Sequence, residues 1–352
     1  MAPPFPSVSG VLLIGSVPLP SASAVFDKLT STLPQRLSSL PDGEPGPRQN
    51  FVLWEHSRFP RETLKYTNGG INLPDGHSGV FTQDDVSPTD YGVAAVESYR
   101  LFCEHRDRGA IPAGIRFQIS LPLPWAVIAG HVRPEFQAMM EPLYTRRMED
   151  AVRIILDNIP VGDLAIQLDL ARETLALEYE RGRLGEEFRP QFAGEEGIFE
   201  GMLHRIQSFT SLIPEEVDLG FHFCYGDRDH RHYVEPEDLG VAVGFANAIR
   251  ERLRRRIAWM HLPVPKNRDD KVYFEPLRTL GLGVGTASTK LYLGLVHAND
   301  ENGTRRRIEA ALSVVKDFGV ATECGLGRTP AVELDSILSI SREVSVPVQS
   351  DL

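Results

Sequence analysis

A histidine and two cysteines of this chain combine residue types and spacing that could bind a metal ion. His222 and Cys224 are two positions apart in F-H-F-C-Y-G-D, and Cys324 lies in T-E-C-G-L-G-R. In a β-strand, residues i and i+2 project from the same face, roughly 7 Å apart at Cα. A zinc ion bonded to a nitrogen at about 2.0 Å and a thiolate at about 2.3 Å can bridge that gap. Cys324 would supply a second thiolate; the alternative is a core histidine beside two unrelated buried cysteines.

The bulk composition is that of a globular protein. The 352 residues suffice for one α/β barrel or two ordinary domains, and 42% are hydrophobic and 24% charged. A net charge of −11 argues against a nucleic-acid-binding protein, and no apolar run is long enough to span a membrane. Three cysteines cannot form a paired disulfide framework, and the N-terminal residues lack the features of a signal peptide. We therefore expect a cytoplasmic protein with reduced thiols.

Short apolar runs alternate with helical stretches along the whole chain. Strands are predicted at 11–14, 37–41, 115–120, 164–168, 219–223, 257–260, 291–296 and 319–322. Helices are predicted at 22–33, 88–108, 134–158, 197–212, 236–255 and 304–317, with a last one after Thr329-Pro330. This alternation favours a parallel sheet, and eight repeats favour a closed (β/α)8 barrel of the TIM type. With no linker in view, residues 1–352 are predicted to form a single barrel domain with long loops at about 34–87 and 225–236.

Polar or metal-competent residues fall at the C-terminal ends of the predicted strands, where barrels of this kind carry their chemistry. In chain order they are Ser16 in I-G-S-V-P, Glu44 and Arg48 in D-G-E-P-G-P-R, Asp169 in I-Q-L-D, His222 and Cys224, His261, His297 and Cys324. One acidic residue at a barrel rim is usually a helix cap or a surface group. So many such residues at successive strand ends indicate a candidate active site.

The pattern resembles the catalytic, C-terminal domain of cobalamin-independent methionine synthase. That domain belongs to a barrel superfamily that also contains uroporphyrinogen decarboxylase and epoxyalkane:coenzyme M transferase. The resemblance extends from I-G-S-V-P at residue 14 to C-G-L-G-R at residue 324. The pairing of H-x-C with C-G-L is its most specific element, and I-Q-L-D and G-E-x-x-x-R are moderately specific.

The resemblance implies a role for each of these positions. It implies that His222, Cys224 and Cys324 bind Zn²⁺. It further implies a substrate site in which Glu44 and Asp169 hold the amino group of an amino-acid thiol and Ser16 helps to position its carboxylate. Arg48, in the same motif as Glu44, is assigned to that substrate site, and His297 is implied as a proton donor.

The chain departs from the family pattern in several places. M-H-L-P puts His261 where the family has a zinc-binding glutamate, so His261 is predicted as the fourth ligand; the alternative is a position left to water or substrate. L-D-L-A-R keeps Asp169 but loses the glutamate and proline that follow it in the family. The tryptophan on which the family packs folate is missing, and Trp125 nearby is interpreted as a core residue. The loop with His230 and His232 has no counterpart and is interpreted as solvated; the alternative, since it directly follows Cys224, is that it closes over the site.

Three functions remain open from the sequence. The first is a zinc-dependent transferase that moves a methyl or other alkyl group to a small thiol such as homocysteine, activated as a zinc thiolate. The second is a zinc-dependent lyase or hydrolase, and the third is a metal-free barrel of the decarboxylase type. The expected partners are a small-molecule thiol and an alkyl donor, with no nucleic acid and no membrane. Because the folate-stacking tryptophan is missing, methyl-tetrahydrofolate is not the predicted donor.

Overall fold

Eight parallel strands form the central sheet in a computed structural model that describes residues 8–65, 79–226, 231–283 and 288–348. They are β1 Val11–Leu12, β2 Ser39–Pro41, β3 Arg116–Pro122, β4 Leu164–Leu170, β5 Asp218–Phe223, β6 Trp259–Pro263, β7 Lys290–Val296 and β8 Gly319–Thr322. The spatial order is β1-β8-β7-β6-β5-β4-β3-β2. An isolated parallel bridge between Ser16 and Gly43 joins the chain just after β1 and β2, so the barrel is nearly closed. The predicted (β/α)8 barrel is confirmed.

Helices flank the sheet. They are α1 Ala22–Thr32, α2 Tyr91–Asp107, α3 Pro124–His131, α4 Pro134–Asn158, α5 Ala171–Glu180, α6 Ile198–Thr210, α7 Gly240–Leu253, α8 Lys271–Phe274, α9 Glu301–Leu312 and α10 Leu334–Val344. Short strands at Val8–Ser9 and Ser345–Val346 pair with each other beside the barrel. In the described part of the chain, no helix is long and apolar enough to cross a membrane. The helices α3 and α5 were not predicted, and both lie at strand ends that form the site described below.

Two helices begin at other residues than predicted, because hydrogen bonds that the sequence does not reveal determine where they start. The helix predicted from residue 88 begins at Tyr91, since Ser87 donates its backbone N–H to the Arg58 carbonyl and is held outside the helix. The helix predicted at 304–317 instead spans Glu301–Leu312. Its start is fixed by Asp300, whose side chain accepts a hydrogen bond from the Gly303 backbone N–H. An N-cap of this kind satisfies a donor that the helix itself cannot.

The two long loops predicted from the sequence are only partly loops. The first contains β2 and a 3₁₀ helix over Gly46–Arg58, and its residues 66–78 lie outside the described part of the chain. In the second, residues 227–230, and His230 with them, also lie outside it. The division of the chain into domains stays a prediction.

The interior of the barrel is filled below the site by large side chains. Trp259 on β6 lies in register with Gly220 on β5, and its ring occupies the space that a side chain at position 220 would need. A Cβ atom at Gly220 would lie 1.9 Å from Cε2 of Trp259, so only glycine leaves room for the indole. The indole N–H points to Oε1 of Gln167 at 3.4 Å, and the ring packs with Tyr292 in a cluster of buried apolar residues. The barrel interior is therefore a packed core and not a pore, and in barrels of this kind active sites lie at the C-terminal mouth.

Candidate metal and substrate site

His222, Cys224 and Cys324 converge at the C-terminal mouth of the barrel, as their spacing predicts. His222 lies in β5, Cys224 follows that strand, and Cys324 follows β8. One ligand atom from each lies within 4.8 Å of the others, and the two sulfurs are 3.8 Å apart. Two zinc–sulfur bonds of about 2.3 Å at the tetrahedral angle would place the sulfurs about 3.8 Å apart, whereas a disulfide would need about 2.05 Å. The spacing therefore suits two thiolates on one metal ion.

The histidine of this group has one ring nitrogen that makes no hydrogen bond to a described residue. His222 is buried, with 3% of its surface exposed, and its Nε2 has no hydrogen-bond partner among the described residues. Buried polar atoms normally have a partner, so a partnerless one at a functional site calls for an explanation. One imidazole and two cysteine sulfurs are a donor set typical of zinc. The residues present therefore fit a zinc ion.

His261 lies directly beside His222 rather than across from the cysteines. The two residues are paired in register on β5 and β6, and their Nδ1 atoms are 2.7 Å apart. Nε2 of His261 lies 3.0 Å from the backbone carbonyl oxygen of Thr322. Burial lowers the pKa of His222 well below its ordinary value, with the neighbouring His261 contributing, and lowers the pKa of His261 to about 3. Both rings are buried and neither forms an ion pair with a carboxylate of the described residues, an environment that favours the neutral form. The role of His261 as a zinc ligand stays a prediction.

Ser16, Glu44 and Asp169 open into the same cavity as the metal-competent group. This cavity, of about 570 Å³, also has His222 and the two cysteines in its wall. Burial raises the pKa of Glu44 well above its ordinary value, and the charges of Asp169 and Asp42 raise it further. Burial likewise raises the pKa of Asp169, with a contribution from Cys324. The contacts of these two buried carboxyl groups do not offset the cost of ionising them, so a bound cation would stabilise their charged form.

The backbone around Glu44 is held in an unusual conformation. Glu44 has φ +50°, in the left-handed region that is costly for residues other than glycine. The side chain of Asp42 accepts a hydrogen bond from the Glu44 backbone N–H at 2.9 Å and stabilises this turn. Arg48 donates to the other oxygen of Asp42 at 2.6 Å, as does Ser98 at 2.6 Å. Arg48 thus supports the Glu44 turn through Asp42, and its charge also acts to lower the pKa of Glu44, against the larger effect of burial. A direct contact of Arg48 with substrate stays a prediction.

Ser16 connects the first strand to the turn that carries Cys324. Its hydroxyl oxygen accepts a hydrogen bond from the Gly327 backbone N–H at 3.1 Å, and its carbonyl accepts one from Leu326 at 2.8 Å. A side-chain hydrogen bond between Ser16 and Glu44 lowers the pKa of Glu44, against the larger effect of burial. Hydrogen bonds of this one serine therefore connect the segments that follow β1, β2 and β8.

His297 does not line the cavity that contains Glu44 and Asp169. It lines a second cavity, of about 440 Å³, that also reaches Cys224 and Cys324. Its Nε2 lies 3.0 Å from the Val264 carbonyl oxygen, and burial lowers its pKa. The two cavities share Cys224 and Cys324 in their walls, so both border the cysteine pair.

His232 contacts two glutamates, one of them next to Cys324, which agrees with the alternative that its loop closes over the site. Its imidazole is only 14% exposed and lies 3.1 Å from Oε1 of Glu323 and 3.2 Å from Oε1 of Glu235. Burial alone would lower the pKa of His232, but the charges of Glu323 and Glu235 raise it to about 9. His232 is therefore docked on the residue next to Cys324, and its interpretation as part of a solvated loop is wrong. Trp125, by contrast, is 3% exposed and packs on Phe192, as a core residue should.

Glu173 is a buried carboxyl group that the sequence analysis missed. It lies in the first turn of α5, is 0% exposed, and neither of its oxygens has a hydrogen-bond partner in another described residue. Burial raises its pKa to about 8, and its proximity contributes to the raised pKa of Asp169. The group is therefore neutral at pH 7.

Glu173 should make the stability of the fold depend on pH. Because its pKa is raised to about 8 in the folded state, from about 4.5 when unfolded, the unfolded state releases the proton first. We expect the free energy of unfolding to fall between about pH 4.5 and 8, by a few kcal/mol at most, and to level off above. Glu173→Gln should flatten this dependence in urea unfolding at pH 5, 7 and 9, whereas Glu97→Gln, an exposed change on α2, should not. Parallel curves for the native protein and Glu173→Gln would contradict the assignment.

No protein-family model and no curated protein matches this chain. Solved structures do match over nearly its whole length. One is a candidate vitamin-B12-independent methionine synthase from Listeria monocytogenes, with a TM-score of 0.52, 15% identity, and 96% of this chain and 98% of that one covered. Another is a B12-independent methionine synthase from Shewanella sp. W3-18-1 in complex with selenomethionine, with a TM-score of 0.55, 12% identity and 96% of each chain covered. At these identities the likeness establishes a shared fold, so this chain has the barrel fold of B12-independent methionine synthase-like proteins.

Proposed function

We propose that this barrel is a zinc-dependent transferase that moves a methyl or other alkyl group to a small amino-acid thiol. The observation that carries the proposal is the convergence of His222 with two cysteines whose sulfurs are 3.8 Å apart, beside two buried carboxyl groups in one cavity. A zinc ion bound by these three residues would lower the pKa of a substrate thiol, so that the reactive thiolate persists at neutral pH.

Glu44 and Asp169 would bind the ammonium group of the acceptor. Each carboxyl group is buried and raised in pKa, so a bound cation would offset the cost of ionising it. The cavity of about 570 Å³ is of the size that small-molecule ligands occupy. The selenomethionine in the Shewanella structure is an amino acid with an alkylated selenium atom. It supports an amino-acid ligand whose alkylated side chain would be the product of such a transfer.

His297 would carry the proton of the reaction. When a thiolate receives an alkyl group, a carbon–sulfur bond forms, the donor's bond to that carbon breaks, and the departing donor takes up a proton in place of the one that the thiol released on binding. His297 lines a cavity that reaches both cysteines and whose described lining does not include Glu44. An imidazole whose Nε2 donates to the Val264 carbonyl keeps Nδ1 as the proton acceptor, and it can pass that proton on.

A zinc-dependent lyase or hydrolase is the second candidate. The observation in its favour is the neutral His261 at the position where the related family has a carboxylate. One negative charge fewer would make the metal more electrophilic, which suits activation of water or polarisation of a carbonyl.

Metal content and thiol binding separate these functions. Protein purified without added metal is expected to contain about one zinc ion per chain and to release about one proton per thiol bound at neutral pH. Calorimetry of homocysteine binding in buffers of different ionisation enthalpy measures that proton. We also expect no methyl transfer from methyl-tetrahydrofolate to homocysteine. Zinc without thiol binding would favour the lyase or hydrolase, and the absence of zinc would leave the metal-free barrel.

A further inference from the structure

The contact between His222 and His261 has a defined direction of hydrogen bonding. Their Nδ1 atoms are 2.7 Å apart, so one must donate a proton and the other must accept it. The Thr322 carbonyl oxygen can only accept, and it lies 3.0 Å from Nε2 of His261. His261 is fully buried and forms no ion pair with a carboxylate of the described residues, so the ring carries one proton only. That proton is on Nε2, and Nδ1 of His261 is left as an acceptor.

It follows that Nδ1 of His222 is the donor in this pair. A neutral His222 has no second proton, so its Nε2 carries a lone pair. This is the buried nitrogen that has no partner among the described residues. The direction of the hydrogen bonds thus leaves a metal-binding lone pair on the one ring nitrogen of His222 that is available.

Both rings are fixed in place by the barrel. His222 is 3% and His261 is 0% exposed, and the two are paired in register on adjacent parallel strands. Thr322 extends the connection, because its hydroxyl donates to the Cys324 carbonyl at 2.8 Å while its own carbonyl accepts from His261. One chain of hydrogen bonds therefore runs from His222 through His261 and Thr322 to the turn of Cys324.

We infer that His261 is a positioning residue: it accepts the Nδ1 proton of His222 and fixes that ring in the tautomer and orientation whose Nε2 lone pair binds metal. The inference rests on the proposed zinc site and assigns a new role within it, in place of direct ligation by His261. Metal-binding histidines almost always donate their other ring N–H to an acceptor, usually a carboxylate or carbonyl. Here a neutral imidazole, itself anchored to a backbone carbonyl, serves as that acceptor and adds no negative charge.

The tautomers can be measured directly in metal-free protein. Protein labelled with ¹⁵N in its histidines, stripped of metal and kept reduced, gives long-range ¹H–¹⁵N correlations that distinguish protonated from unprotonated ring nitrogens. Signals are assigned by their loss in His222→Gln and His261→Asn. We expect His222 to be protonated on Nδ1 and His261 on Nε2. A His222 protonated on Nε2 would overturn the inference, whatever metal the protein binds.

Two variants of His261 distinguish positioning from direct ligation. His261→Asn keeps an amide oxygen near the place of Nδ1, where it can accept the His222 proton, but an amide is a poor zinc ligand. His261→Leu has a similar volume and no acceptor. We expect the Leu variant to lose about 10- to 100-fold in zinc affinity, measured by competition with a chromophoric chelator, and the Asn variant to stay close to the native value.

The same variants report on the His222 ring itself. In metal-free His261→Leu, His222 should shift toward the tautomer protonated on Nε2, while His261→Asn should keep it on Nδ1. Equal loss of zinc affinity in both variants would identify His261 as a direct ligand and overturn the inference. If the native protein binds no zinc, the proposed function fails, but the tautomer measurement still decides the role of His261.

Discussion

Replacement of either Cys224 or Cys324 by serine is expected to abolish stoichiometric zinc binding. A structural zinc site is worth about 10–16 kcal/mol in binding free energy, so each of three or four ligands contributes about 2.5–5 kcal/mol, or on the order of 100-fold or more in affinity. Serine has nearly the same shape as cysteine, but its hydroxyl stays protonated at neutral pH and is a poor ligand. Zinc per chain, measured by elemental analysis after dialysis against a weak chelator, should fall from about one to near zero.

Cys103 provides a matched control in the same chain. It lies on α2, where its sulfur is 3.7 Å from the Arg106 guanidinium, and it does not belong to the converging group. Cys103→Ser should leave the zinc content unchanged. Added zinc should also raise the unfolding temperature of the native protein and of Cys103→Ser, but not of Cys224→Ser or Cys324→Ser. Full zinc occupancy in Cys224→Ser and in Cys324→Ser would show that the metal, if bound, lies elsewhere.

Loss of the charge on Glu44 or Asp169 should weaken binding of amino-acid thiols selectively. A hydrogen bond to a charged group contributes about 1.5–3 kcal/mol, so Glu44→Gln and Asp169→Asn should each lower the affinity for homocysteine about 10- to 100-fold. Asn at 169 can still accept the hydrogen bond that Gln167 donates to Asp169 at 2.8 Å, so the local structure is expected to persist. The affinities can be measured by calorimetry with the zinc-loaded protein.

The selectivity requires a ligand control and a protein control. The same thiol without its amine, 4-mercaptobutyrate, should bind the native protein and both variants with similar affinity, because no ammonium group is present. Glu333→Gln, which removes a carboxylate from the neighbouring cavity, should bind homocysteine as the native protein does. Equal weakening for both thiols would mean that Glu44 and Asp169 maintain the site without contacting the amine.

The sequence by itself determined the features that depend on local periodicity. The alternation of apolar runs with helical stretches was enough for the (β/α)8 barrel, because each strand and helix is encoded over a few residues. The separation of His222 and Cys224 by two residues likewise placed both at one strand end, since a strand alternates its side chains with period two. Helix α9 shows the limit of such patterns. It was predicted to begin at residue 304 but begins at Glu301, because the side chain of Asp300 caps it there.

Only the tertiary structure decided how the strand ends combine. The indole of Trp259 fits only beside a glycine at position 220, and this fit fixes the register of β5 against β6. In the same register, two residues further along both strands, His261 lies beside His222. Arg48 forms an ion pair with Asp42, and His232 forms one with Glu323. A buried or half-buried charge is stabilised by the nearest opposite charge in space. These partners are distant or unpredictable in sequence, since contacts across a barrel depend on register and packing that no single segment encodes.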